Sequence, residues 1–212
     1  EPGEQPRSPA RRLLEVTEGD WDALVQWRDG QGVSLDEACL LAPIPDPPFI
    51  RVPLSKVPLP HPDLGEVRPR FDSIRPAPGS AINHPEGTLV LSPWSRRIHL
   101  TAQLAGVIGR PVSRQGPLDE TAILGYAILV SCRDVGIVEA MAGPFLPRDR
   151  QWAVAISFLM GGSHPVGPWV VSAGEVAPAD LSVSLEVAGV GRAEGAAARS
   201  ADGPLAILDQ IA

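Results

Sequence analysis

Cysteine is scarce in this chain, and so are lysine, tyrosine and long apolar runs. The two cysteines, Cys39 and Cys132, lie far apart with no CxxC or Cys/His cluster, which excludes a structural zinc site. Each is expected to be a small buried apolar residue. No apolar run reaches the roughly 18 residues needed to cross a bilayer. The Pro/Glu/Arg-rich N-terminus has no apolar stretch like that of a signal peptide. A reduced, cytoplasmic protein without a membrane partner is expected. Lys56 is the single lysine, and the formal net charge is −7, so nucleic acid is not an expected partner. No GxxxxGK[ST] phosphate loop and no Gly-x-Ser-x-Gly elbow occurs, and the run Gly161-Gly-Ser-His-Pro is too short to cradle a phosphate.

What is present is apolar mass and punctuation. Hydrophobic residues make up 44% of the 212, enough for a sizeable core in one domain. The 24 prolines and 21 glycines predict many turns and short strands rather than long helices. Residues 1–42 read as a lead-in with a small helical or strand region, and residues 43–212 as the main domain. Within the first part, residues 1 to about 10 read as disordered and Leu13–Thr17 as a short strand. Asp20 is expected to cap a helix from Trp21 to about Arg28, and Ser34 with Glu37 has the form of a capping box. Leu40–Pro48 reads as an extended, polyproline-like connector, because each proline keeps its predecessor extended. The chain from Phe49 to Pro78 reads as proline-rich and irregular.

Further strands are expected at Thr88–Leu91, Ile98–Ile108, Ala127–Cys132 and Leu181–Val187. Short helices are expected at Asp119–Tyr126 and Pro204–Ile211. The fold class is mostly β (α+β).

Several ordered segments carry a resemblance. His99-Leu-Thr-Ala-Gln-Leu-Ala-Gly-Val-Ile-Gly109 has the outline of a metal-binding strand. Leu40–Pro48 has a Leu-Leu-Ala-Pro-Ile-Pro form. Ile74–Ile82 is similar to a Lys-Pro-Pro-Ser-Ala-Leu segment, with Arg75 at the lysine. Gln151-Trp152 is followed by Pro165-Val-Gly-Pro-Trp169. Together these resemble the fumarylacetoacetate hydrolase family over about residues 40–212. The resemblance implies a mixed β-sandwich roll with a few short helices. It also implies further strands past this point in family members, so a homodimer that covers an exposed edge is expected.

Enzymes of that family bind a divalent cation through Glu, Glu and Asp. Here the two glutamate positions hold Thr101 and Gln103, and the aspartate position holds Ser131. A hydroxyl, an amide and a second hydroxyl cannot replace hard anionic oxygens around Mg²⁺ or Ca²⁺. The expectation is therefore no metal and no cofactor. The pocket implied is neutral and suits a small, apolar substrate. Gln103, Ser131, Gln151 and His164 are the candidate catalytic residues; Thr101, Arg75, Asp134, Trp152 and Trp169 are the candidate substrate contacts.

The bland readings are kept beside these. Arg133 with Asp134 reads as a surface salt bridge at a strand end, and Glu139 as a solvated helix position. His164 reads as a loop residue, while His84 and His99 read as structural. Trp94, Trp152 and Trp169 read as core. The function expected first is a metal-independent enzyme promoting a cyclisation, isomerisation or elimination on an apolar substrate, such as one of polyketide type, in secondary metabolism. A non-catalytic binding or assembly subunit and a cation-dependent hydrolase or decarboxylase with displaced ligands stay open.

Overall fold

The structure is a computed structural model of the chain and describes residues 8–17, 20–26, 32, 34–53, 59–61, 65–67, 74–91, 93, 95, 97–110, 112, 120–141, 156–157, 160–188 and 191–196. It begins with helix α1, Pro9–Val16, where a strand was expected at Leu13–Thr17. The start signal decides this: Ser8 accepts a hydrogen bond from the Arg11 amide, and Pro9 occupies the first turn, where its missing N–H costs nothing. Helix α2, Trp21–Gln26, starts at Asp20, whose carboxylate accepts from the Asp22 amide. The Trp21 indole N–H then donates to the Leu124 carbonyl at 2.7 Å, docking the helix on the main sheet. Ser34 opens a 3-10 turn, Leu35–Glu37. Cys39 is exposed, contrary to expectation, whereas Cys132 is buried.

The stretch expected to be irregular contains a ribbon. Strand β1, Phe49–Pro53, pairs antiparallel with β4, Ile74–Pro78; between them β2, Leu59–His61, pairs with β3, Gly65–Val67. Prolines are tolerated because a two-stranded ribbon has a free side for each residue that cannot donate. Strand β5 is only Ile82–Asn83. No strand forms at Thr88–Leu91: Val90 is exposed, and the Asn83 amide donates to the Thr88 carbonyl instead.

The centre of the fold is the antiparallel pair β6, Ile98–Ile108, and β7, Ile123–Asp134. The helix expected over Asp119–Tyr126 shrinks to a 3-10 turn at Glu120–Ala122 before β7 begins. Gly125 accounts for part of this. A Cβ there would lie 2.2 Å from the Val171 carbonyl oxygen, so the position serves close approach of β9, Val171–Ser172. Helix α3, Val135–Met141, follows β7 directly.

The second edge of β7 is covered by the segment around β8, His164–Pro165. The Cys132 amide donates to Ser163 O, Leu129 bridges Val166, and the Gly167 amide donates to Ile128 O, all in one antiparallel register. β8 also pairs parallel with β5, Ile82 opposite His164. Pairing with β9 then resumes at Tyr126–Val171, after the Gly167–Pro168 cis peptide. His164 is thus an ordered, fully buried strand residue, not a loop residue.

Side chains alternate across this layer. One face buries Ala127 and Leu129 with Ala42 and Val166, backed by Ile50, Ile82, Ala105 and Val170. Ala42 is held there by its amide, which donates to His84 Nδ1 at 3.0 Å. The other face carries Tyr126 with Ile123, Leu104, Ala173 and Val176. Strands β10, Ser182–Val187, and β11, Gly191–Ala196, form a ribbon whose first strand lies against β6. The helix expected at Pro204–Ile211 lies outside the described residues. Among those described, no helix is long and apolar enough to cross a membrane.

Candidate functional site

Strand register builds the site. Thr101 on β6 faces Ser131 on β7 across the ladder, and the register that pairs Leu129 with Val166 brings His164 opposite Ser131 on the other side. Three polar residues therefore form a row across three adjacent strands, on the face that carries the Leu129 core. The strands in such a row are about 4.8 Å apart. The next row on the same face holds Gln103, Leu129 and Val166, so an amide stands beside an apolar wall. Ser131 and His164 are buried, while Thr101 and Gln103 are half-buried.

The hydrogen bonds centre on His164. Its Nδ1 lies 2.8 Å from the Ser163 hydroxyl, and its Nε2 lies 3.4 Å from the Ser131 hydroxyl. Burial pushes the His164 pKa below its ordinary value, because a charged imidazolium is poorly solvated there. The neutral ring has one donor and one acceptor nitrogen, and rotatable hydroxyls on both sides satisfy either tautomer. Such a group can accept a proton at Nε2 while Ser163 keeps its grip on Nδ1.

Asp134 lies on the opposite face of β7 from Ser131, by alternation. It is fully buried and not part of a surface salt bridge. Its carboxylate accepts from the Ser95 hydroxyl and, at 3.3 Å, from the Ile137 amide in the first turn of α3. Glu139 is exposed and paired with Arg97. His99 is exposed on β6, and His84 is the connector's hydrogen-bond acceptor described above. Trp169 is 54% exposed, just before β9, which does not suit a core residue. Arg75 lies in β4, opposite Val52. Gln151, Trp152 and Trp94 lie outside the described residues.

The metal implied by the resemblance does not fit these donors. Thr101, Gln103 and Ser131 offer only neutral oxygen and nitrogen atoms, and Ser131 stands against an imidazole. Asp134 faces away and is engaged as a helix cap. Among the described residues no three His, Cys, Asp or Glu side chains converge. Protein sites for hard divalent cations are built around carboxylate oxygens, and this row has none.

Sequence reasoning missed Ser163 and Ser95. Ser163 stands next to the candidate His164 in the chain, and that adjacency is the one local sign of its role. Ser95 gave no local sign, because its partner is 39 positions away.

Residues 64–211 match the family described as fumarylacetoacetate (FAA) hydrolase C-terminal. A protein of Pyrococcus abyssi described as uncharacterized is 30% identical over 131 residues, 60% of this chain and 54% of its own length. The crystal structure of 2-hydroxyhepta-2,4-diene-1,7-dioate isomerase from Mycobacterium marinum superposes with a TM-score of 0.62 at 27% identity, covering 86% of this chain and 64% of that one. Maleylpyruvate hydrolase from Sphingobium sp. SYK-6, solved with manganese(II) and pyruvate, gives 0.50 at 25% identity, covering 80% and 56%. The chain thus spans between about half and two thirds of the length of these relatives.

Proposed function

The chain belongs to the fumarylacetoacetate hydrolase family, and we propose that it is a metal-independent enzyme that moves a proton on a small, largely apolar substrate. Isomerisation is the reaction it suits best, with elimination or cyclisation as outcomes of the same proton removal. The observation that carries this reading is the row Thr101–Ser131–His164, in which Ser131 and His164 are buried and Thr101 and Ser131 stand at two of the positions that the resemblance gives to the cation's ligands. The M. marinum relative, described as an isomerase, supports the reaction class.

The chemistry follows from the row. His164 Nε2, neutral and desolvated, takes a proton from a carbon next to a carbonyl. The charge that develops on the substrate oxygen is met by hydroxyl and amide donors from Ser131, Thr101 and Gln103. Leu129 and Val166 form the apolar wall that excludes water from the carbanion-like state. Return of the proton to another carbon completes an isomerisation, and departure of a leaving group completes an elimination. Placing the reacting atoms within reach of one another can contribute about 7–11 kcal/mol.

The test is solvent deuterium exchange into a panel of small ketones and enols, followed by NMR. Exchange is expected with the wild type, insensitive to EDTA and reduced about a hundredfold in His164→Gln. Exchange that EDTA abolishes overturns the reading. The complete burial of His164 favours, as a second reading, a non-catalytic subunit that retains the fold; absence of exchange with every compound would support it. Exposed Ile128, Trp169 and Val171 along β7 and β9 support a homodimer. Sedimentation at micromolar concentration is expected to show one, and a monomer removes that part.

A further inference from the structure

Beyond proton transfer, we propose that Ser131 is a nucleophile and that the chain carries an acyl-transfer activity toward small, apolar acyl donors. The arrangement has the three parts that activate a serine. Ser131 Oγ lies 3.4 Å from His164 Nε2, and the ring's other nitrogen is held at 2.8 Å by Ser163. A nucleophile, a base and a group that orients the base recur wherever a hydroxyl is made reactive, and the first contact is often long before substrate binds. All three residues are buried, and the serine and the histidine come from different strands held in register, so their relative position is fixed by the sheet. Thr101, across the ladder from Ser131, places a hydroxyl donor on the other side of the nucleophile.

The step balances without a metal. Ser131 Oγ forms a bond to the acyl carbon while its proton passes to His164 Nε2. The carbonyl oxygen takes the electron pair and faces the Thr101 side. The bond to the leaving oxygen then breaks, and His164 returns its proton to that oxygen. Water repeats the sequence in reverse order and releases a carboxylic acid and free Ser131. Ser163 acts as a positioning residue, since its hydroxyl bonds the ring and not the nucleophile.

This assignment uses the same histidine as the proton-transfer reading but does not depend on it, and one experiment separates them. The full chain is mixed with p-nitrophenyl acetate, p-nitrophenolate release is followed in the first turnover, and the quenched protein is mapped by peptide mass spectrometry. The expected result is a burst of about one equivalent and an acetyl group on Ser131, both lost in Ser131→Ala. In His164→Gln the burst is expected to slow about a hundredfold. Ser163→Ala is expected to shift the pH profile of the burst, with Ser163→Thr restoring it. Acetylation mapped elsewhere but not on Ser131, or an equal burst from Ser131→Ala, overturns the proposal whether or not deuterium exchange is found. Mapping on the wild type decides the matter even where a variant does not fold.

Discussion

Two buried polar clusters sit at neighbouring positions of β7, and they are wired in opposite ways. Around Asp134 the groups are closed. The carboxylate takes the Ser95 hydroxyl and the Ile137 amide, and the backbone amide of Asp134 donates to Ser157 O. Around Ser131, among the described residues, the side-chain hydrogen bond is a single, long one to His164. The first cluster joins a strand to a helix and engages both carboxylate oxygens. The second leaves a hydroxyl loosely held beside a neutral base. A buried polar group with all its partners in place is architecture, and one with slack beside a base is where chemistry can occur.

The largest expected effect tests that contrast directly. Asp134→Ala removes the cap of α3 and strands the Ser95 hydroxyl, at a cost of about 2–3 kcal/mol. Ser131→Ala removes one long hydrogen bond and is expected to cost about 1 kcal/mol or less. Chemical denaturation with two probes measures both. Equal costs would mean that Ser131 belongs to the architecture as well.

A smaller effect comes from His164. Its pKa in the folded state lies below that of the unfolded chain, because burial disfavours the charged ring. Below the ordinary value of about 6.5, the unfolded chain therefore binds more protons than the folded one. Stability is full above that pH and falls as pH drops from there toward the folded-state pKa. His164→Gln is expected to flatten this part of the stability profile. A profile unchanged by the substitution would show that the ring is solvated in solution, which removes the distinction between the two clusters.

How much of this could be read from the chain follows from what is local. β6 was legible because alternation over Ile98–Ile108 is a local pattern, and the resemblance then put Thr101 and Gln103 on one face. β7 was only half legible. Asp119 looked like a helix cap, and nothing near Gly125 shows that another strand must approach it closely. At the other end, Ser8-Pro9 was a readable helix start that the apolar run Leu13–Thr17 obscured. The pairing of Ser131 with His164 spans 33 positions, and it depends on a register that only tertiary structure sets. The closed state of Asp134 was hidden for the same reason, since Ser95 lies 39 positions before it, in the chain that leads into β6.

The smallest effect concerns a second serine–carboxylate contact, which is the Asp134 arrangement moved toward the surface. Ser8 donates both its hydroxyl and its amide to Asp46, and Arg11 lies close by. Burial acts to raise the Asp46 pKa, but the Ser8 hydroxyl, the Ser8 amide and the Arg11 charge together hold it below its ordinary value. The sign follows: this stabilisation is full above the unfolded carboxylate pKa and is lost as pH falls through the folded one. Ser8→Ala is expected to cost about 1 kcal/mol at neutral pH, because Ser8 also caps α1, and part of that cost should vanish in acid. Ser95→Ala leaves the fully buried Asp134 carboxylate without its hydroxyl donor and should cost more, about 2 kcal/mol. If the two substitutions cost the same, burial adds nothing to the worth of a serine–carboxylate contact in this fold. The closed cluster on β7 would then owe its role to the helix it caps and not to its depth.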